Sequence, residues 1–454
     1  MKNNLLERLQ KAERDAEYER QRRREIEKKY YKLLNELKKT QALLRQFLNE
    51  NTPSSKLPFK YPSKEQSETK PKPRGKPVGS NGGTKEVPDP NEIDRKIEAR
   101  LEKRCQRCRR LINRKDIIRR LRYIYDARII AEIIEVNEET YLCDCGEFCI
   151  GRHPDVPQRG MIGYNLQALF VESKFDFSVS YGRIKKFFDN TTKGKINFSP
   201  GAIEGCVAGT AEKLEPSYNR IENELKTEDY AYSDETSWPV NGVKWYLWLF
   251  VTMNFVFITI QNSRARRVLT DIFGEDYHGG IISDCFRVYR DFAEWFQKCW
   301  VHLLRKAKFE AEKHPKKNIV KLYEQLKILY NELSDFLKEN PSKEIRLEKK
   351  KEFEEKLNEI INYKNWCKEA KSIIDNWLIA YRGHWLTAIE IEGISLNNNL
   401  CERKIRGSIG WRKMLGGHRT AEGAKHYAII ETHRQTWKHQ GKYPYNELLN
   451  VLKN

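Results

Sequence analysis

Two short apolar runs that each end in an aspartate constrain the fold of this chain most strongly. The sequence YAYSD ends at Asp234, and GIISD ends at Asp284. Both runs have the length and composition of buried strands, so each is expected to carry a carboxylate to the end of a strand. Residues 244–252 and 255–261 predict two further strands, and residues 264–273 predict a helix.

The resulting order β-β-β-α-β, with acids on the first and fourth strands, matches an α/β fold of the ribonuclease-H-like class. A third carboxylate, Glu402, lies in a stretch of amides and cations. If this stretch is helical, Asn398 and Arg406 lie one turn from Glu402 on the same face. Three carboxylates from separate parts of one fold are the arrangement that a two-metal phosphoryl-transfer site requires.

Length and charge limit the function classes. A chain of 454 residues is expected to form two or three domains. Its net charge of +20 indicates a polyanionic partner, with nucleic acid favoured over an anionic membrane surface. The N-terminus lacks the apolar core of a signal peptide, and the longest apolar run, residues 245–260, is too short for a membrane helix. We therefore expect a soluble, cytoplasmic protein.

The N-terminal region predicts self-association. Residues 1–50 carry a mostly apolar seam at alternating steps of four and three, from Leu5 to Phe47, which is typical of a coiled coil. The alternative is a lone helix that folds back on the body of the protein. Residues 51–92 are rich in proline and lysine and predict a flexible linker.

Paired cysteines predict a zinc-ribbon-like domain at residues 93–159. Two pairs, Cys105 with Cys108 and Cys143 with Cys145, can supply four thiolates, and Cys149 is an alternative fourth ligand. Residues 119–125 and 129–136 are expected to form short strands between the pairs. The alternative is that these cysteines are reduced structural residues without a metal.

The remaining segments complete the domain organisation. Residues 160–226 predict a helical module, either DNA-binding or a plain connector, in which Ser199 caps a helix that begins at Pro200. The catalytic core is expected at residues 227–436, with a helical insertion at about 303–380, and residues 437–454 form a C-terminal tail.

Four segments together resemble the transposases of the insertion-sequence-66 type. They are SDETSW around Asp234, SDCFRVY around Asp284, CWVHLLRK from Cys299, and NNLCERKIR around Glu402. The cysteine pairs and the preceding coiled coil also resemble that family's zinc-binding and N-terminal regions. The third segment departs from the family's pattern, because the basic pair after the histidine, here His302, appears as Leu304-Arg305-Lys306.

The resemblance implies a DNA transposase that cuts and joins the ends of its own mobile element. Asp234, Asp284 and Glu402 would form the catalytic acidic triad and hold Mg²⁺ or Mn²⁺, and zinc would be structural. The implied partners are the element's double-stranded DNA ends, target DNA and a second copy of the chain. Four cationic side chains are candidates for binding the phosphates of the scissile strand: Arg403, Arg406, Arg412 and Lys413. Glu235 is expected on the opposite strand face, packed or hydrogen-bonded rather than bound to metal.

Two other function classes remain open. The first is a catalytically inactive zinc and coiled-coil DNA-binding protein derived from a transposase, which an intact acidic triad disfavours. The second is a structural or membrane-surface adaptor, which leaves the three-carboxylate pattern unexplained.

Overall fold

The computed structural model describes residues 88–98, 102–103, 107–111, 124, 129–145, 147–290 and 292–454. The chain divides into two compact units, residues 1–129 and 130–454. Regular structure described in the first unit includes a 3₁₀ turn, Pro90–Glu92. The predicted coiled coil at residues 1–50, residues 51–87 of the linker, Cys105 and residues 119–123 lie outside the described residues.

The second unit is a mixed α/β structure. Its strands are β1 (Thr140–Leu142), β2 (Phe148–Ile150), β3 (Tyr230–Val240), β4 (Val243–Val251), β5 (Val256–Gln261), β6 (Gly280–Ser283) and β7 (Trp295–Lys298). Its helices are α1 (Tyr164–Phe175), α2 (Tyr181–Thr191), α3 (Pro200–Leu225), α4 (Arg267–Phe273), α5 (Trp300–Lys313), α6 (Ile319–Lys338), α7 (Lys343–Asn362), α8 (Lys368–Ile373), α9 (Thr387–Glu390), α10 (Asn399–Leu415), α11 (Ala421–His439) and α12 (Pro444–Lys453). A π-helical turn, Ile374–Ile379, extends α8, and 3₁₀ turns occupy Arg287–Tyr289 and Arg382–His384.

The central sheet has five strands in the order β5-β4-β3-β6-β7. Strands β3, β4 and β5 are antiparallel neighbours, whereas β6 and β7 run parallel to β3. The four strands and the helix predicted between residues 230 and 284 are confirmed, although β3 is much longer than predicted. Strand β7 was missed, because its four residues include a glutamine and a lysine that no apolar pattern marks as buried.

A tight turn sets the register of β3 against β4. Asn241 and Gly242 both have positive φ, 49° and 73°, as the two central residues of a type I′ hairpin require. This turn pairs Val240 with Val243 and therefore fixes every later pair up to Tyr232 with Val251.

Helix α11 covers the outer edge of the sheet. An edge strand leaves backbone donors and acceptors unpaired, and these have to be satisfied when they are buried. The Thr436 hydroxyl accepts from the Val256 N–H and donates to the Val256 carbonyl, both at 3.0 Å. Thr432, one helical turn earlier, accepts from the Ile258 N–H at 2.9 Å and donates to the same residue's carbonyl at 3.3 Å. The helix therefore takes the place of a sixth strand.

The helical module α1–α3 joins the core through a cluster of ion pairs around the buried Arg434. The Arg434 guanidinium of α11 donates to Glu172 at 2.8 Å, Glu431 at 2.8 Å and Asp176 at 2.9 Å. The N-terminus of α3 is as predicted, since the Ser199 hydroxyl accepts from the Ala202 N–H at 3.1 Å and Pro200 begins the helix.

Two further regions differ from the predictions. Residues 129–139 form no regular structure, so the strand predicted at 129–136 is wrong; its apolar residues pair with no strand among the described residues. The C-terminal tail contains α12, whose Leu448 and Leu452 are buried. No helix in the described part of the chain has the length and apolar character needed to cross a membrane.

Replacing Thr436 with valine tests the edge interaction. Thr436→Val keeps the side-chain size but leaves the Val256 N–H and carbonyl without their partner. We expect the free energy of unfolding to fall by about 1–3 kcal/mol in urea denaturation. The matched control is Thr210→Val in α3, where the buried hydroxyl only donates to the Cys206 carbonyl of its own helix. Equal losses in the two variants would contradict the edge-covering role.

Candidate active site

Strand pairing brings Asp234 and Asp284 to the same place. The parallel pairing of β3 with β6 matches Tyr230 with Gly280 and Tyr232 with Ile282. Asp234 and Asp284 each lie two residues beyond this last pair, so the same offset applies to both. Asp284 directly follows β6 as expected, whereas Asp234 lies within the longer β3 rather than at its end, so the two carboxylates lie side by side at the end of the sheet where β6 stops.

Glu402 reaches this end of the sheet from the first turn of α10. The segment before the helix is fixed to the core, because the Asn398 amide donates to the Ser233 carbonyl at 2.8 Å. The Asn398 N–H also donates to Cys299 Sγ at 3.2 Å, and the Ser395 N–H donates to the Tyr232 hydroxyl at 2.9 Å. The helix start is thus attached to the strand residue that precedes Asp234.

The electrostatics of Asp234 reflect this convergence. Burial raises the pKa of Asp234 well above its usual value, and the negative charges of Glu235, Asp284 and Glu402 raise it further. One hydrogen bond opposes the shift, since Asp234 Oδ1 accepts from the Glu235 N–H at 2.9 Å. Crowded carboxylates of this kind favour a bound cation, which would let all of them ionise.

The neighbouring Glu235 is held by protein groups. Its carboxylate accepts hydrogen bonds from the Arg264 guanidinium and from the Tyr289 hydroxyl, the latter at 2.5 Å. Tyr289 in turn accepts from Ser233 at 2.9 Å. Burial, followed by the charge of Asp284, raises the pKa of Glu235 to about 7 despite the opposing effect of Arg264. Glu235 is therefore hydrogen-bonded, as the strand alternation predicted.

A buried lysine supports the end of β6. Lys298, at the end of β7, is fully buried, and its ammonium donates to the Ser283 hydroxyl and to the Asp284 carbonyl, each at 3.2 Å. The Tyr381 hydroxyl donates to the next carbonyl, that of Cys285, at 3.1 Å. Asp284 Oδ1 itself accepts from the Phe286 N–H at 2.9 Å. The backbone that carries Asp284 is thus held on both sides.

Several buried polar atoms at this site have no hydrogen-bond partner. They are Glu402 Oε1, Asn398 Oδ1 and His302 Nδ1. Within the described residues, Cys299, His302 and Glu402 form a group whose potential ligand atoms all lie within 4.8 Å of one another. Asp234 and Asp284 lie outside this tight group. Unsatisfied oxygens beside crowded carboxylates fit a hard divalent cation.

The candidate DNA-contacting cations differ in their surroundings. Arg403, Arg406 and Lys413 are exposed along α10. Arg412 is bound within the protein, because its Nη1 donates to the Thr236 and Ser237 hydroxyls of β3 at 3.0 Å each. The structure thus leaves three of the four side chains accessible to a phosphate backbone.

The predicted zinc ligands are only partly described. Cys143 and Cys145 lie at the turn between β1 and β2, where the Cys143 N–H donates to the Glu147 carbonyl at 2.8 Å. Hydrogen bonds from Cys145 lower the pKa of the partly exposed Cys143 thiol. Cys149 lies on β2, where it pairs with Tyr141 of β1. Cys108 belongs to the other unit, and Cys105 lies outside the described residues.

Sequence reasoning missed three residues of the site. No residue type or spacing marked Lys298 or Arg264, because each acts through contacts between elements far apart in the chain. Tyr289 is the last residue of the SDCFRVY segment, but nothing in the sequence indicated its contact with Glu235. For Lys298, the only available sign was its position directly before Cys299 in the CWVH segment.

One family model matches this chain. The model of the IS66 family of transposases matches residues 159–426, which include α1–α3, the sheet and α10. A search of curated proteins found no match.

The raised pKa of Asp234 predicts how Asp234→Asn changes stability with pH. A raised folded-state pKa means that the native state holds a proton that the unfolded state releases above about pH 4, so stability falls as pH rises through the folded pKa. Without divalent cations, Asp234→Asn should therefore match the original chain near pH 4. Near pH 8 it should be more stable, on the order of 1–3 kcal/mol, in urea denaturation with a chelator.

The exposed Asp271→Asn in α4 serves as the control and should show no such trend. A stability difference between Asp234→Asn and the original chain that does not change from pH 4 to pH 8 would contradict the crowding of carboxylates.

Proposed function

Because this chain belongs to the IS66 family of transposases, we propose that it cuts and joins phosphodiester bonds at the ends of its own mobile element. The reaction is a metal-dependent polynucleotidyl transfer with an acidic triad of Asp234, Asp284 and Glu402. The observation that carries the proposal is the matched register of β3 and β6, which places Asp234 beside Asp284, together with the Asn398 hydrogen bond that attaches the start of the Glu402 helix to Ser233.

The fold supports the same proposal. The β-β-β-α-β order with acids on the first and fourth strands is present, and β7 adds a fifth strand beside the fourth. We propose that this core is ribonuclease-H-like. The helices α5–α9 lie in the sequence between β7 and the helix that carries Glu402, where the predicted insertion falls.

Each side chain has a role in this reaction. Asp234, Asp284 and Glu402 would hold two Mg²⁺ or Mn²⁺ ions, which stabilise the attacking and leaving oxygens of a phosphodiester. Lys298 and Asn398 position the backbone beside Asp284 and Asp234. Arg403, Arg406 and Lys413 would contact the phosphates on either side of the scissile bond, and Arg412 would hold α10 against β3.

The partners follow from the reaction. They are the element's DNA ends, a target DNA and a second copy of the chain, joined through the predicted coiled coil at residues 1–50. In light scattering, a chain that lacks residues 1–50 should form complexes with fewer copies of the chain than the full chain does. An unchanged number of chains per complex, with and without DNA ends, would contradict this role.

Replacing single triad carboxylates tests the catalytic proposal. Asp234→Asn, Asp284→Asn and Glu402→Gln each remove a metal-binding charge with little change of size. We expect each variant to lose strand cleavage of an end-containing duplex with Mg²⁺ by about 10²–10³-fold or more, while DNA binding is largely kept.

Asp271→Asn and Glu422→Gln are matched controls, because both side chains are exposed and lie outside the site. Near-normal cleavage by any triad variant would remove that residue from the triad. If the original chain does not cleave the duplex, or if adding Mg²⁺ changes nothing for the original chain and the variants, an inactive DNA-binding relative of the family is favoured.

We also propose a structural zinc site formed by Cys105, Cys108, Cys143 and Cys145, with Cys149 as the alternative fourth ligand. The support is the close approach of Cys143 and Cys145 in the hairpin turn and the lowered pKa of Cys143. Elemental analysis should find one zinc per chain, reduced in Cys143→Ser and unchanged in Cys206→Ser. Folded protein without zinc would contradict the site.

A further inference from the structure

His302 is the site residue that the proposed chemistry leaves without a role. It lies in the first turn of α5, and its Nδ1 is 3.7 Å from Glu402 Oε1. This separation is too long for a hydrogen bond. Both atoms are nevertheless buried, and neither has a hydrogen-bond partner. Two unsatisfied polar atoms that face each other indicate a missing shared partner.

The two residues are fixed relative to each other by backbone contacts. His302 lies three residues after Cys299, whose sulfur accepts from the Asn398 N–H. The Trp300 N–H donates to the Leu396 carbonyl at 3.0 Å. The start of α5 and the start of α10 are therefore joined directly, although about a hundred residues separate them in the sequence. The distance between His302 and Glu402 is thus set by the fold.

We infer that His302 Nδ1 and Glu402 Oε1 bind the same divalent cation, which makes this position a mixed nitrogen–oxygen site. The inference rests on the proposed function, because Glu402 is a member of the triad. Two ligand atoms on one ion at about 2.1 Å lie roughly 3–4 Å apart, which fits the observed separation. Imidazole nitrogen is a poor ligand for Mg²⁺ and a better one for transition metals. The position therefore favours Mn²⁺ over Mg²⁺.

Two neighbouring groups have other roles. Cys299 Sγ lies within reach of the same point but accepts the Asn398 hydrogen bond, so we assign it to positioning. Arg305 Nη2 is 3.7 Å from Glu402 Oε2, and its side chain is 42% exposed, so solvent screens its attraction for the carboxylate. A simple ion pair among His302, Glu402 and Arg305, without a metal, is the competing arrangement.

Mn²⁺ binding to the full chain tests the inference without any activity measurement. Pulsed electron paramagnetic resonance of bound Mn²⁺ should show coupling to a ¹⁴N nucleus, which changes to ¹⁵N coupling in protein labelled with ¹⁵N-histidine. His302→Gln should remove the nitrogen coupling and weaken Mn²⁺ binding by about 10-fold or more, with a smaller effect on Mg²⁺.

The control is His314→Gln, at the end of the same helix, where the ring contacts Glu310 and Glu369 instead. It should keep both the coupling and the affinity. Mn²⁺ binding that requires Asp234 and Glu402 but lacks nitrogen coupling would overturn the inference and leave the proposed function intact. Mn²⁺ binding that none of these residues affects, or no binding, would overturn both. Because the labelled original chain gives its own signal, a folding defect in His302→Gln would not decide the result.

Discussion

The arrangement of this core depends on the parallel pairing of β3 with β6. Two strands in matched register place Asp234 and Asp284 side by side. Burial raises the pKa of Asp234, and the neighbouring carboxylates, Asp284 among them, raise it further. A protein that only had to be stable would avoid this arrangement, since an uncompensated carboxylate cluster costs free energy at neutral pH. The cost is consistent with a site that is complete only when cations bind.

Adjacent carboxylates of β3 differ in their surroundings. Glu235 is satisfied by Arg264 and Tyr289 on one face of the sheet. Asp234, one residue earlier, accepts only a local backbone hydrogen bond among the contacts described here, and no cation is paired with it. The same contrast holds on α10, where Arg412 is bound to β3 while Glu402 Oε1 has no hydrogen-bond partner.

The amino-acid sequence was sufficient to predict the strands that carry Asp234 and Asp284, because short apolar runs with β-branched residues identify buried strands. It also predicted the helical face that relates Glu402 to Arg406. It did not predict β7, because Gln297 and Lys298 are buried through hydrogen bonds to distant residues rather than through an apolar pattern. The contact of His302 with Glu402 was equally inaccessible, since it depends on how the chain returns after α5–α9.

The central claim is that Asp234, Asp284 and Glu402 bind divalent cations at one site. A crystal of the protein soaked in Mn²⁺ and measured near the manganese absorption edge tests this claim most directly. The account predicts anomalous peaks within coordination distance of all three carboxylates. Peaks that contact none of the three, or manganese bound only at exposed surface acids, would contradict it.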